Sequence, residues 1–258
     1  MKSIKYIVWS LLVMAVIASC GGEDNYPAPA ETFKGSIVDK ETGDPLQTDI
    51  STFSGGSGVR IRMMEYSWSD TPQPYDMYTE MDGAFNNTKI FKGTYGVTVE
   101  GPFVSIPADT FEIAGTVEKN YQVEPFLRVE WVGEPVLNDD GTATVQVKIS
   151  RGTANPGYQQ ALTEVWVYVS ETQYVGAFSY SPVYSTQLIG GNLPALDATF
   201  TINTGWGTNL GKANIKQNLF PTYARKYFLR VGARINKQAI GTNVFNYTTV
   251  KEITTQAR

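Results

Sequence analysis

Tyr227-Phe228-Leu229-Arg230-Val231-Gly232-Ala233-Arg234-Ile235 is the stretch from which the fold class is read. Every odd-numbered residue is apolar, while Phe228, Arg230 and Arg234 fall on the even side. Side chains of a strand alternate between two faces, so this period of two predicts a half-buried strand, one face in a core and the other outside it. The pattern recurs elsewhere. Tyr95, Val97 and Val99 share a face opposite Thr94, Gly96 and Thr98, and Val165, Val167 and Val169 alternate with Glu164, Trp166, Tyr168 and Ser170.

Between such segments stand turn residues. Asp39-Lys40-Glu41-Thr42-Gly43-Asp44-Pro45-Leu46 follows an opening strand through Phe33, Gly35 and Ile37, with Gly43 free to take positive φ and Pro45 fixing its own. Met81-Asp82-Gly83-Ala84-Phe85 makes another turn. Asn138-Asp139-Asp140-Gly141 reads as a hairpin turn; an EF-hand calcium loop would need a longer run of ligand positions and a closing Glu, which are missing. Short alternating segments punctuated in this way predict an all-β chain.

The organisation expected is a leader at 1–19, a tether at 20–32, and two β-sandwiches at 33–124 and 125–258. Strands of the second are expected at Phe126–Trp131, Thr142–Ile149, Leu162–Val169, Ala198–Ile202, Tyr227–Ile235 and Val244–Glu252, with further extended segments in Tyr174–Leu188. About seven strands of that size suit an immunoglobulin- or fibronectin-like sandwich.

Cys20 is the single cysteine. It follows Lys2, Lys5, the apolar run Tyr6–Val16 and Ile17-Ala18-Ser19, with small residues directly before the cysteine, an arrangement that resembles a bacterial lipoprotein signal with its lipobox. The resemblance implies acylation of Cys20, cleavage before it, and attachment to a membrane by lipid alone; the run is short of the ~20 apolar residues of a spanning helix. Gly21–Ala30 then reads as a tether, and its Glu23 and Asp24 resemble surface-export signals of Bacteroidetes lipoproteins.

The chain has 21 basic and 25 acidic side chains, a net charge of −4, and Lys2 and Lys5 lie in the leader, so the remainder is more acidic still. Without a basic cluster, nucleic acid is not an expected partner. One cysteine excludes a disulfide framework. The absence of histidine removes the usual triad base, the commonest zinc ligand and the easiest proton shuttle. Glycoside hydrolysis needs only two carboxylates about 5–9.5 Å apart, and no pair is identifiable; Glu164 and Asp197 are better read as solvated or turn-capping groups. Gly55-Gly56-Ser57-Gly58 lacks the lysine and hydroxyl of a P-loop. No enzyme, metal or cofactor is expected.

Gly35-Ser36-Ile37-Val38-Asp39, Thr42-Gly43-Asp44-Pro45-Leu46, Asp82-Gly83-Ala84-Phe85 and Lys92-Gly93-Thr94-Tyr95-Gly96-Val97, in this order, resemble a carboxypeptidase-regulatory-like module, a transthyretin-like β-sandwich without catalysis of its own. The two-block order behind Cys20, with Tyr180–Ser185 and Tyr227–Arg234, resembles the Bacteroidetes outer-membrane lipoproteins of domain of unknown function 3823. That resemblance implies a cell-surface place beside SusC/SusD-type polysaccharide importers and a glycan-binding accessory role.

Flat rings cover the apolar face of a sugar while hydroxyl, amide and carboxylate groups pair with its hydroxyls, which makes outward aromatics the candidate site. Trp166 and Tyr168 lie opposite the valines of their strand, outside or beneath a loop. Trp206 stands between Gly205 and Gly207; Tyr180 and Tyr184, with Tyr158 and Tyr174, would extend the surface. Trp68 sits on an insertion, and Trp131 reads as core. The competing expectation is a structural or assembly protein in which these aromatics pack internally, since large rings are ordinary on sheet faces.

Overall fold

A computed structural model describes residues 27–50, 58–204, 220, 223–239 and 242–256. The leader, Cys20 and Trp206 lie outside the described residues. In the N-terminal half, the alternating segments form β1 (Glu31–Asp39), β2 (Arg60–Glu65), β3 (Pro74–Tyr78), β4 (Ala84–Ile90), β5 (Gly93–Glu100), β6 (Asp109–Ile113) and β7 (Thr116–Val123). The C-terminal half opens with β8 (Leu127–Trp131), β9 (Val136–Leu137), β10 (Ala143–Arg151), β11 (Leu162–Ser170), β12 (Thr186–Ile189) and β13 (Thr199–Thr204). It closes with β14 (Arg225–Ile235), β15 (Gln238–Ala239), β16 (Thr242–Asn243), β17 (Asn246–Tyr247) and β18 (Lys251–Thr255).

Two sheets make up the first half. One has the order β4-β1-β7, with β1 antiparallel to β4 and parallel to β7; the other is the antiparallel β3-β2-β5-β6. Their inward residues, among them Phe33, Ile37, Ile61, Met63, Phe85, Val97 and Ile113, form one core. Gly43 takes the positive φ expected of it, 78°, and Gly83 in the next turn does the same at 77°. In the second half β13-β10-β8, with β9 beside β10, faces β12-β11-β14-β17, with β18 also on β14. Val145, Val147, Ile149, Val165, Val167, Leu229 and Val231 belong to the core they share. The Asn138–Gly141 turn joins β9 to β10 as a hairpin, Gly141 at φ 85°. The architecture is all-β and multi-sheet, as the alternation requires.

Three expectations change. Val244–Glu252 is not one strand but β17 and β18 with a break between them. The Thr248 hydroxyl accepts the Val231 N–H at 3.0 Å and the Thr248 carbonyl turns to the Arg230 side chain, so ladder groups are satisfied by a side chain and the chain shifts register. Of Tyr174–Leu188 only the end is strand, as β12; the rest is a loop laid over the sheet. The largest change concerns the second face of β11 and β14. Glu164, Trp166, Tyr168, Ser170 and Arg230 are buried too, like the valines opposite them. The strands are covered on both sides because that loop and the end of the N-terminal half lie over the outer face.

Candidate functional site

The outer face of β11 and β14 carries a second, smaller core of Trp166, Tyr168, Val175, Phe245 and Tyr247. Trp166 is 9% exposed and Tyr168 2%, and their rings stack at 5.2 Å and 6°. Tyr180 tilts against both at 5.3 Å. Gly232 permits this: a Cβ there would stand 2.7 Å from the Tyr247 ring and 2.9 Å from the Tyr168 ring. Burial pushes the Tyr168 phenol well above its ordinary pKa. Glu164 is equally committed, accepting hydrogen bonds from Trp166 Nε1 and Gln187 Nε2 and pairing with Arg234 Nε at 2.5 Å.

Tyr184 does not join this group. Its ring stacks on Phe220 at 5.1 Å and meets Tyr227 edge-on at 5.2 Å, packing against the sandwich core instead. Trp166, Tyr168 and Tyr180 therefore come together, Tyr184 lies apart from them, and Trp206 and Cys20 fall outside the described residues. The correction to the expected platform is physical: two of its rings have no face left for a sugar. Trp131, expected in the core, is only partly buried, with Nε1 donating to the Thr249 carbonyl at 2.9 Å.

Three hydrogen bonds tie this aromatic core and the loop over it to the N-terminal half. Asp49 Oδ2 accepts from the Tyr247 hydroxyl at 2.8 Å and from the Phe178 N–H at 3.2 Å. Its approach needs Gly176, where a Cβ would lie 2.5 Å from Asp49 Oδ1. Arg230, fully buried, donates to the carbonyls of Thr248 (2.9 Å), Val175 (3.4 Å) and Met81 (3.2 Å) and lies 4.4 Å from the centre of the Tyr247 ring. Burial pulls its pKa down to about 10, with Tyr247 and Asp49 opposing, so it remains a cation at neutral pH. Nearby, Arg128 Nε and Nη2 donate to the two Asp39 oxygens at 2.6 and 3.0 Å. Burial alone would raise the Asp39 carboxyl, but the Arg128 hydrogen bonds together with backbone N–H groups hold it below the usual range.

At this junction opens a cleft of ≈ 760 Å³. Its N-terminal wall is Gln47, Ile50 and the turn Thr79–Asp82; its C-terminal wall is Gln173, Tyr174, Phe228 and Val250–Glu252. Tyr174, 55% exposed, stands on the loop whose Val175 is buried in the aromatic core, so the rings chosen from the sequence form the foundation of the wall. The Met81 carbonyl holds Arg230 and accepts the Thr48 N–H at 2.9 Å, which fixes the opposing turn. Thr79 is buried at the lining, and its hydroxyl has no partner among the described residues. An aromatic face with amides, a hydroxyl and carboxylates around it can bind a neutral polyhydroxylated ligand by stacking and hydrogen bonds. Phe228 had a legible signal, a large apolar side chain on the even side of a strand whose odd side is core. Gln47, Glu80, Asp82 and Glu252 had none. Among the described residues no group of three or more His, Cys, Asp or Glu side chains is placed to hold a metal ion.

A family model described as the N-terminal domain of a protein of unknown function, DUF3823, matches residues 31–124. The crystal structure of a DUF3823 family protein from Bacteroides uniformis ATCC 8492 is 30% identical, with a TM-score of 0.74, over 89% of this chain and 100% of that one. The chain belongs to the DUF3823 family. A second DUF3823 structure, from Parabacteroides merdae ATCC 43184, shares the fold at 19% identity and a TM-score of 0.61, over 88% of this chain and 100% of that one. A candidate carbohydrate-binding protein from Bacteroides uniformis ATCC 8492 is similar in fold at 21% identity and a TM-score of 0.67, over 87% of this chain and 99% of that one. No curated protein matches. The DUF3823 coverage takes in both halves, so the junction is within the region compared.

Proposed function

We propose that this DUF3823 chain is a non-catalytic surface protein, lipid-anchored to the outer membrane through Cys20, that holds an oligosaccharide in the junction cleft as an accessory to a SusC/SusD-type uptake system. The halves would be a transthyretin-like sandwich at 33–124 and an immunoglobulin- or fibronectin-like one at 125–258. The cleft carries the reading: it sets the exposed Tyr174 ring and Phe228 among Gln47, Gln173, Glu80 and Asp82, a stacking wall with hydrogen-bonding groups around it. The fold likeness to a candidate carbohydrate-binding protein supports the same class of ligand. Titration of the mature protein with a broad panel of oligosaccharides by calorimetry tests it. Saturable binding to one class, lost in Tyr174→Ala with folding intact, is the expected outcome; no binding by a well-folded sample would end the proposal.

A structural or assembly role is the second reading. The observation that favours it is the consumption of Trp166, Tyr168 and Tyr247 in internal packing. A null glycan titration together with co-purification of a defined outer-membrane complex would move the function there.

A further inference from the structure

We infer that the end of the N-terminal half built on Trp68 and Phe91, away from the junction, is a membrane-contact surface that seats the protein on the headgroup layer of the leaflet carrying its lipid. The inference rests on the Cys20 anchoring proposed above. Pro27 and Ala28, the first described residues of the tether, line a cleft of ≈ 360 Å³ together with Trp68, Phe91, Lys92 and Gly93. An extended chain spans at most ~3.6 Å per residue, so the stretch from Cys20 to Pro27 reaches about 25 Å. This end therefore has to lie close to the leaflet. β1 runs from Glu31, which lines the same cleft, to Asp39 at the junction, a path of roughly 26 Å at ~3.3 Å per residue. The junction cleft stands on the side away from the lipid.

The chemistry of this pole matches that position. Trp68 is 55% exposed and Phe91 45%, and Tyr66 beside them is exposed as well. Trp and Tyr favour the boundary between headgroups and hydrocarbon, where an apolar ring and a polar edge are both satisfied. The rings are presented by a built turn: the Glu65 carboxylate accepts the N–H groups of Ser67 at 2.5 Å and Trp68 at 3.1 Å, and Trp68 Nε1 donates to the Lys92 carbonyl at 3.3 Å. Lys92 and Glu112 pair with each other at 3.9 Å on the rim. Acyl chains at one point attach a protein but leave it free to swivel; a second contact at the root of the tether orients it, with the junction cleft facing outward.

The test uses the full mature lipoprotein, its acylation read by mass spectrometry, in phosphatidylethanolamine vesicles with and without lipids brominated near the top of the acyl chains. The brominated lipid should quench tryptophan emission of the wild type and lose that effect in Trp68→Phe, which keeps an aromatic ring and the fold. Equal quenching of both proteins, or none in acylated wild type, overturns the inference. A chain found without lipid on Cys20 removes it together with the anchoring reading, and the mass distinguishes that case. Weakened oligosaccharide binding in Trp68→Ala, with no quenching of the wild type, would instead make the pole a sugar subsite.

Discussion

Tyr66-Ser67-Trp68 and Trp166-Val167-Tyr168 have the same form, two large aromatics one residue apart, and opposite fates. The first pair is half exposed; the second is buried and stacked. The difference lies in what neighbours each. Tyr66 and Trp68 stand just beyond the end of β2, at a pole with no further strand over it among the described residues. Trp166 and Tyr168 sit mid-strand between β12 and β14, beneath a loop, with Tyr168 beside Tyr247 and Arg230, which themselves bond to Asp49 and Met81 from far away in the chain. Ring content does not decide whether an aromatic binds a ligand, braces a core or meets a membrane. The cover over it does.

The contrast can be broken most forcefully at the buried pair. Trp166→Ala should lower stability by about 4 kcal/mol, in the range of large core truncations, visible as a lower urea midpoint; a change below ~1 kcal/mol would mean the outer face of β11 is not a core. Arg230→Ala should follow at about 3 kcal/mol, because the buried carbonyls of Thr248 and Val175 lose its hydrogen bonds. Next comes the ion pair at the junction. Asp39→Asn should cost about 2 kcal/mol at neutral pH, less than a fully buried pair because Arg128 keeps some solvent contact.

This effect has a defined pH sign. The folded Asp39 carboxyl titrates below its unfolded value of about 3.9, so its stabilisation is fully present above that value and is lost as pH falls through the folded value. Urea unfolding of wild type and Asp39→Asn should thus differ at pH 7 and converge in strong acid. A gap unchanged by acid would break the assignment to the Arg128 pair. Smaller again is the effect of Tyr174→Ala, which should weaken oligosaccharide binding about tenfold, or ~1.4 kcal/mol, and leave the urea midpoint in place. Last is Trp68→Ala, expected to change stability by no more than ~0.5 kcal/mol, the counterpart that sharpens the comparison with Trp166.

Much of the fold is legible residue by residue. The odd-numbered apolar residues from Tyr227 to Ile235 all face the core, and Gly43, Gly83 and Gly141 all sit in turns with positive φ. The candidate site is far less so. Trp166 and Tyr168 carry the right chemistry but lie under the wall, whereas Gln47, Asp82 and Glu252 are unremarkable in sequence and reach the cleft only because the segment after β1, the turn after β3, and β18 converge at the junction. The break between β17 and β18 was equally hidden, since it depends on Thr248 answering the Val231 N–H in a neighbouring strand.

The sequence by itself determined that the chain is all-β, which residues share a strand face and where the turns fall, because alternation and positive-φ glycines are properties of a few consecutive residues. Only the tertiary structure decided which faces are covered. That depends on contacts such as Asp49 with Tyr247 and Met81 with Arg230, between residues too far apart in the chain for any local pattern to record.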